Sequence, residues 1–483
     1  MAEAGELGRH VSASEPSDTA VTGGTERVDT ASQDSGRTPG PTAAAVSGGP
    51  DRGADHMELP PSKSHLIRAL VAASLADTPS EILLFPSSAW AGAELSAFES
   101  HLPRDAWHAL RATTSLGATC RLQEGRAIEV IPGAMARSKR LFCGESALLL
   151  RLMLPIASAL GGIDELDGEG TLPGRPIDEL VAPLTLLGVR AMRKHPHRAL
   201  PLRLAGHLRG GDITLDGGLT SQLASGLLMA LPLCAGPSRL TIERPTSRPY
   251  LDLTRHVLAD FGVAVQALPD ATFAIEGGQR YRGIRVEVEA DWSAAAFALV
   301  LGAIRRDAPP IALRGLSPTS RQADRAICDI LTAIGATIVW NRGTLLCRRG
   351  DLTAFDLSLT DAPDLLPPLA TLALFCPGTS RLRDIGRTRF KESDRPAALI
   401  GELGKLGARL WTEGGDLCIQ GGPLRGGQVS SRGDHRLAMA IAVAAHCGGV
   451  DVDIAGGDLA VRKSFPRFFA SLNALRRTTT ANP

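Results

Sequence analysis

Hydrophobic positions along this chain follow two alternating helical patterns. In the first, apolar residues recur at three- and four-residue spacing, the run ends at a glycine, and an alternating apolar–polar stretch follows. The segments are AWHALRATTSLGATCRL, IDELVAPLTLLGVRAMR, LDLTRHVLADFGVAVQAL, DRAICDILTAIGATIVW and AALIGELGKLGARLWT. Each predicts an amphipathic helix, a left-handed glycine stop and a strand. The glycines are Gly117, Gly188, Gly262, Gly335 and Gly407, spaced by 71, 74, 73 and 72 residues. A period held through five copies predicts a repeat architecture. SFPRFFASLNAL, near the C-terminus, reads as a sixth copy without its glycine and strand.

The second pattern is a series of short helices that are apolar nearly all round: SKSHLIRALVAASLA, GESALLLRLMLPIASALGG, TSQLASGLLMALPLCAG, DWSAAAFALVLGAI, APDLLPPLATLALFCPG and GDHRLAMAIAVAAHCGG. Helices of that kind belong inside a layer of other elements. Their starts are polar, offering Lys63 and Ser64, Glu145 and Ser146, Ser221 and Gln222, Asp291 and Ser293, Asp364, and Asp434, His435 and Arg436. The predicted unit is strand, buried helix, strand, amphipathic helix, strand, repeated six times, and three units per domain give two similar α/β domains. A helix start presents unpaired N–H groups and favours anions by about 0.3–1 kcal/mol per charge. Six such starts facing one cleft, with Lys63, Arg68, Arg151, Lys391, Arg395, Arg436 and Lys463 around it, would draw a multiply anionic ligand. Taken singly, Ser, Thr and Asp at these positions are ordinary N-caps.

The chain has 483 residues, enough for two or three domains. With 52 basic against 51 acidic residues and 4% aromatics, it gives no support to a nucleic-acid or membrane-surface protein. Its eight cysteines are scattered without a C-x-x-C pair, which suggests no zinc or redox motif and suits a reducing, cytoplasmic compartment. Residues 1–56 are rich in Gly, Ser, Thr, Pro and Asp without apolar periodicity, and read as a disordered tail that is neither a secretory signal nor a transit peptide. Met57 stands just before the ordered pattern, a position where translation could start; native N-terminal sequencing would test this. No apolar stretch demands a membrane span.

Seven motifs then carry a resemblance. PPSKSHLIR, TSQLASGLLMALPL, SRPYLDL, APD, KESDR at 391–395, DHRLAM and KSFP occur in this order. From about 57 to 476 the chain resembles the 5-enolpyruvylshikimate-3-phosphate synthases of the enolpyruvyl transferase family. The resemblance implies a two-domain inside-out α/β barrel with three repeats per domain. Residues 57–61 with 290–476 would form one domain and 62–289 the other, leaving 477–483 as a C-terminal tail. The missing strand of the last copy would come from the N-terminal segment. The implied reaction moves the enolpyruvyl group of phosphoenolpyruvate onto the 5-hydroxyl of shikimate 3-phosphate and releases phosphate, on the route to chorismate and the aromatic amino acids. The implied protein is a cytoplasmic monomer with no cofactor, no metal and no nucleic-acid or membrane partner.

By the same resemblance Glu392 matches the acid that protonates the vinyl carbon and Asp364 the base at the hydroxyl, with Lys63 between the two substrates. Ser64, Arg68, Ser221, Gln222, Ser247, Tyr250 and Lys391, with Lys63 and Asp364, would hold shikimate 3-phosphate. Arg151, Gln222, Arg395, His435, Arg436 and Lys463, with Lys63, would hold phosphoenolpyruvate. The residue types fit, because two multiply charged substrates need cations that stay charged.

The departures fall at the same site. The family's G-N-A-G-T-x-x-R-P stands as GESALLLRLM, so Ala147 replaces a glycine where backbone approaches phosphoenolpyruvate, and glyphosate is expected to inhibit poorly. Thr171 replaces an arginine, leaving Arg175 nearby; Arg387 replaces an asparagine; and LFPSSAWAGAEL stands in place of L-D-S-D-D. Either Arg175 or Arg387 compensates, or donor binding weakens. Two alternatives therefore stand beside the main reading: a secondary-metabolism relative acting on another acceptor, and a non-catalytic metabolite-binding copy. Retention of Lys63, Asp364, Glu392 and Arg436 argues against the latter, and the SKS, KESDR and DHR set argues against the sister branch acting on a UDP-sugar.

Overall fold

The computed structural model describes residues 53–85, 101–123, 127–133 and 138–480. Most of the expected tail, and residues 86–95 of the divergent segment, lie outside that range. The described chain is a mixed α/β fold. Its helices are α1 (Lys63–Ser74), α2 (Arg104–Ser115), α3 (Ala147–Leu160), α4 (Asp178–Leu186), α5 (Gln222–Ala230), α6 (Arg248–Asp260), α7 (Trp292–Ile304), α8 (Ile327–Ala333), α9 (Leu366–Ala373), α10 (Arg395–Lys405), α11 (His435–Gly448), α12 (Gly457–Val461) and α13 (Phe468–Thr480). The odd-numbered helices α1 to α11 are the apolar series, and α2 to α10 of even number are the amphipathic one. Each of the latter ends two residues before its predicted glycine, whose φ is positive in all five cases (111°, 89°, 78°, 104° and 87°). That conformation spares the last carbonyls at no Cβ penalty and turns the chain into the strand that follows.

Six sheets share one pairing rule. Arg140–Phe142 and Glu165–Asp167 are parallel, and Leu202–Gly206 then Val189–Arg193 add antiparallel. Because α3 and α4 make the connections, the unit is β-α-β-α-β-β. Asp212–Asp216, Ser238–Glu243, Thr272–Ile275 and Gln266–Leu268 repeat it. So do Asp356–Ser358, Thr379–Arg383, Asp416–Gln420 and Arg409–Glu413. The last sheet holds two strands, Gly427–Ser430 and Val452–Ala455.

Two units exchange their first strands. Asp55–His56, ahead of α1, pairs in parallel with Ile311–Arg314, after α7. Arg285–Val288, ahead of α7, pairs in parallel with Ser80–Leu84, after α1. The two crossing segments lie side by side, with the Ser62 amide donating to the Glu289 carbonyl (2.8 Å) and the Asp291 amide to that of Pro60 (2.9 Å). This corrects two expectations. Residues 55–56 belong to the fold, not to the tail, and the N-terminal strand completes the fourth unit, not the sixth. At the other end α13 continues through residue 480, where a tail from 477 was expected, since extending a formed helix costs little.

The apolar helices are buried as their pattern requires. In α7, 12 of 13 residues are buried, and each fully buried Leu, Val or Phe there contributes about 1.5–3 kcal/mol. Leu299→Ala would cost about 2–5 kcal/mol through the cavity it leaves. Close packing of α5 on α3 needs Gly226, where a Cβ would stand 2.3 Å from the Arg151 carbonyl oxygen. The buried apolar residues form two clusters, one running from Leu66 to Val288, the other made of Met57, Leu59 and residues from Ala290 to Leu475. No helix among the described residues is long and apolar enough to cross a membrane.

Candidate active site

Four of the buried helices carry side-chain caps: Ser146 caps α3, Asp291 α7 and Asp434 α11, as their starts suggested, and Ser62 caps α1, one residue ahead of the Lys63 and Ser64 the sequence offered there. All six helix starts meet around one narrow cavity of about 80 Å³. Lys63 and Ser64, Ala147 and Leu148, Ser221 and Gln222, Asp291 and Ser293, Asp364 ahead of α9, and Arg436 line it. Arg68, Asp105, Arg175, Ser247, Tyr250, Arg387, Lys391 and Glu392 complete the wall. A wider concavity of about 890 Å³ lies elsewhere, around His65, Arg314 and Arg342, and shares none of these cations.

One guanidinium organises the acids. Arg395, only 1% exposed, donates from Nε to Asp434 (2.9 Å), from Nη1 to Asp364 (2.7 Å) and from Nη2 to Glu392 Oε2 (2.9 Å). Asp364 also meets Arg436 Nη2 at 3.2 Å and Lys391 Nζ at 3.5 Å. Glu392 Oε1 meets Arg175 Nη2 at 3.1 Å and Lys463 Nζ at 3.9 Å. Asp105 bridges Lys63 Nζ (3.0 Å) and Lys463 Nζ (3.1 Å). Buried charges persist only when paired, and here Asp364, Glu392 and Asp105 each have at least two cations, while Asp434 has Arg395.

The pairing sets the protonation states. Burial pushes Asp364 up, but Arg436, Lys391 and Arg395 together hold it well below the usual carboxylate range. Glu392 is likewise held well below its range, with Arg175, Arg395 and Lys463 overcoming burial. Burial brings Lys391 down to about 8 against the pull of Asp364. Burial, followed by the Arg436 charge, takes His435 well below its ordinary value, so it is neutral. Asp324, which accepts from Ser293 Oγ, is raised to about 7 by burial and by the neighbouring Asp364.

Of the expected site residues, Lys63, Ser64, Arg68, Ser221, Gln222, Ser247, Tyr250, Asp364, Lys391, Glu392 and Arg436 line the cavity. Arg151 stands one step behind, its Nη1 donating to Gln222 Oε1 at 2.9 Å. Lys463 reaches the wall through Asp105 and the Glu145 carbonyl (2.8 Å). Arg395 and His435 do not line it: the first is engaged with three carboxylates, and the second is fully buried with Nε2 2.9 Å from Arg436 Nη1. Thr171 accepts from Arg175 Nη2 at 3.3 Å, so the remaining arginine lies over the substituted position. The Glu145 carboxylate accepts from the Thr171 amide (3.2 Å) and packs on Gly170, where a Cβ would fall 1.4 Å from Glu145 Oε1.

The sequence reading missed Asp105. Its signal was available, an acid in the first turn of a helix opened by Pro103, but nothing local shows that it meets lysines 42 and 358 residues away. Glu392, Asp434 and His435 bring potential metal-ligand atoms within 4.8 Å of one another. Arg395 already fills the space between the two acids, so this is an ion-pair network, not a vacant ligand set.

Buried helix starts, permanent cations and two ionised carboxylates in one cleft define a group-transfer enzyme for anionic metabolites. The chain belongs to the EPSP synthase (3-phosphoshikimate 1-carboxyvinyltransferase) family, whose model matches residues 49–472. It is 35% identical over 396 residues to a 3-phosphoshikimate 1-carboxyvinyltransferase of Methanocorpusculum labreanum, covering 80% of this chain and 88% of that one. Against the protein of the same description from Halobacterium salinarum it is 33% identical, covering 91% and 99%. The fold matches that of EPSP synthase from Acinetobacter baumannii, with a TM-score of 0.67 at 23% identity over 88% of this chain and 97% of that one. It also matches the enolpyruvyl transferase NikO from Streptomyces tendae, with a TM-score of 0.66 at 16% identity over 89% and 96%.

Proposed function

We propose that this chain transfers the enolpyruvyl group of phosphoenolpyruvate to the 5-hydroxyl of shikimate 3-phosphate, releasing phosphate, in chorismate and aromatic amino acid biosynthesis. The observation that carries the reading is the convergence of Lys63, Asp364, Lys391, Glu392 and Arg436 on one cavity, from segments that carry the family's motifs. The two core clusters, with their exchanged strands, support a division into two three-unit inside-out barrels, 57–61 with 290–476 against 62–289, widened at the start to take in Asp55–His56. We assign the protein to the cytoplasm as a monomer.

The reaction balances without a redox partner. Glu392 gives a proton to C3 of phosphoenolpyruvate, and C2 becomes the electrophile. The acceptor oxygen bonds to C2 while its proton passes to Asp364. The C2–O bond to phosphate then breaks, and C3 returns its proton. Lys63, Arg175, Arg436 and Lys463 face the donor side and balance the developing charge. Lys391, Ser64, Arg68, Ser221, Ser247 and Tyr250 hold the acceptor, and Gln222 carries Arg151 to the boundary. In the ligand-free arrangement both acids are ionised, so the substrates' own anions must draw cations away before Glu392 can hold a proton. Closure that leaves about 80 Å³ supports chemistry shielded from water.

The test is phosphate release with both substrates present. Wild type is expected to release phosphate only when both are added, and Glu392→Gln to lose about 10²–10⁴-fold in kcat, the usual range for a general acid. Silence from the wild type with shikimate 3-phosphate still bound would leave a binding protein instead.

A further inference from the structure

Arg387 departs from every other charged side chain in the cavity wall that comes from the segment 359–436. Lys391 and Arg436 each pair with Asp364, and Glu392 pairs with Arg175 and Arg395. Among the described residues, Arg387 forms no ion pair. Its guanidinium is fixed by neutral acceptors: Nη1 donates to Thr246 Oγ1 (2.9 Å) and Ser247 Oγ (2.7 Å), and Nη2 to the carbonyls of Leu359 (3.2 Å) and Thr360. Those acceptors come from both sides of the cleft, with Thr246 and Ser247 on the side of the first core cluster and Leu359 and Thr360 on that of the second.

The anchor is rigid. Ser247 sits at the start of α6 with a φ of 52°, its amide donating to the Thr360 carbonyl (3.2 Å). The next amide, of Arg248, donates to Asp361 Oδ1 (3.1 Å). A half-buried guanidinium held in place without a counter-ion is an electrostatic vacancy for an anion. Burial works against its charge, while Asp364, Asp361, Tyr250 and Asp384 favour it from a distance. Ser221, Ser247 and Tyr250 line the same cavity and offer hydroxyls that suit phosphate oxygens.

We propose that Arg387 is a specificity-determining residue, a fixed cation at the Thr246–Ser247 rim that selects acceptors carrying a phosphate ester. The proposal rests on the reading that Ser247 faces the acceptor, and it goes beyond that reading by assigning the selection to one side chain. Its four Nη hydrogens already go to neutral acceptors, so Arg387 acts on a phosphate through a charge without a counter-ion and through Ser247, whose hydroxyl oxygen accepts from Nη1 and whose hydrogen is left to donate, an anchoring an ammonium cannot copy. Because Thr246, Ser247, Leu359 and Thr360 hold it before ligand arrives, little ordering is lost on binding. An acceptor lacking the phosphate leaves this cation buried and unmatched, the situation in which polar sites discriminate most strongly.

The test compares shikimate 3-phosphate with shikimate in the wild type, Arg387→Asn and Arg387→Lys, reading kcat/KM for each acceptor and competition by inorganic phosphate. A charge-assisted hydrogen bond lost from the site predicts that Arg387→Asn lowers kcat/KM for shikimate 3-phosphate by about 10- to 100-fold. The value for shikimate should change little, so the ratio collapses, and competition by inorganic phosphate should weaken in step. Arg387→Lys should recover only part. Equal losses for both acceptors would overturn the proposal by making Arg387 a strut between the two sides. So would an unchanged ratio, or unchanged phosphate competition in a folded Arg387→Asn. Failure of the wild type to turn over shikimate 3-phosphate while inorganic phosphate still binds through Arg387 would overturn the acceptor reading instead, and would identify itself by the loss of phosphate binding in Arg387→Asn alone.

Discussion

In the proposed reaction Arg175 is expected to couple donor binding to the charge of Glu392, and this can be measured. Its Nη2 lies 3.1 Å from Glu392 Oε1, and its Nε is buried without a partner among the described residues. The other groups facing Glu392 are Arg395, His435 and Lys463, and Asp105 repels it from across the Lys463 ammonium. In the free protein Arg175, Arg395 and Lys463 keep Glu392 ionised. A donor bringing a carboxylate and a phosphate competes for the same cations, so the folded, ligand-free depression of Glu392 is relieved on binding. The sign is fixed: the acid rises towards its ordinary value, and the complex takes up a proton. Uptake of at most one proton per donor should grow as the pH falls towards the ordinary glutamate value of about 4.3 and vanish near neutrality. Titration calorimetry in buffers of different ionisation enthalpy reads it directly. Arg175→Gln removes one charge-assisted contact to the donor, worth about 1.5–3 kcal/mol, hence about 10- to 100-fold in affinity. It also loosens Glu392 beforehand, so the variant should take up less proton than the wild type. Binding heats that are the same in all buffers for both proteins would refute the coupling. An unchanged affinity would show that Arg175 does not replace the arginine absent at Thr171.

Three further outcomes follow from the same network. Lys391, lowered to about 8 from 10.5, should hold the acceptor less well as pH rises through 8, while the fold gains stability over that window as the charge it disfavours is removed; acceptor titrations and urea melts between pH 7 and 10 should therefore move in opposite directions. Arg395→Met leaves Asp364, Glu392 and Asp434 without their shared guanidinium and should cost about 3–5 kcal/mol in urea denaturation at pH 7, less at pH 4; a loss under 1 kcal/mol would contradict the pairing. Ala147 puts a methyl on the cavity wall, so Ala147→Gly should be inhibited more strongly by glyphosate than the wild type; equal inhibition would remove that residue from the account.

Periodicity made the helices and their glycine stops readable, because both are set by contacts within a few residues. The strand exchange was not, since nothing in Asp55–His56 says which of several similar edges it joins in parallel. The cations and carboxylates of the cavity were readable through motifs that cluster at helix starts. Which cation serves which acid was not. Arg395 and His435 carry the right chemistry for a phosphate site, yet their neighbours absorb it: three carboxylates take the first, and Arg436 with full burial neutralises the second. The choice between Arg175 and Arg387 as a substitute for the missing arginine was equally open in sequence. Distance separates them, because one contacts Glu392 and the other Ser247.

That separation changes what the substitutions amount to. Losing a cation at Thr171 and gaining one at Arg387 leaves the number of positive charges in the cleft unchanged, but moves one from the side of Glu392 to the side of Ser247. The donor side then relies on cations already engaged with the protein's own acids, Arg175 with Glu392 and Lys463 with Asp105. Binding there is an exchange of one paired anion for another, so its net gain is small and its dependence on protonation large. The acceptor side offers Arg387 without a counter-ion, so binding there adds a pair without breaking one. Acceptor affinity should therefore exceed donor affinity and vary less with pH below the Lys391 transition. The order of the two measured Kd values decides whether charge moved across the cleft or was merely reshuffled within it.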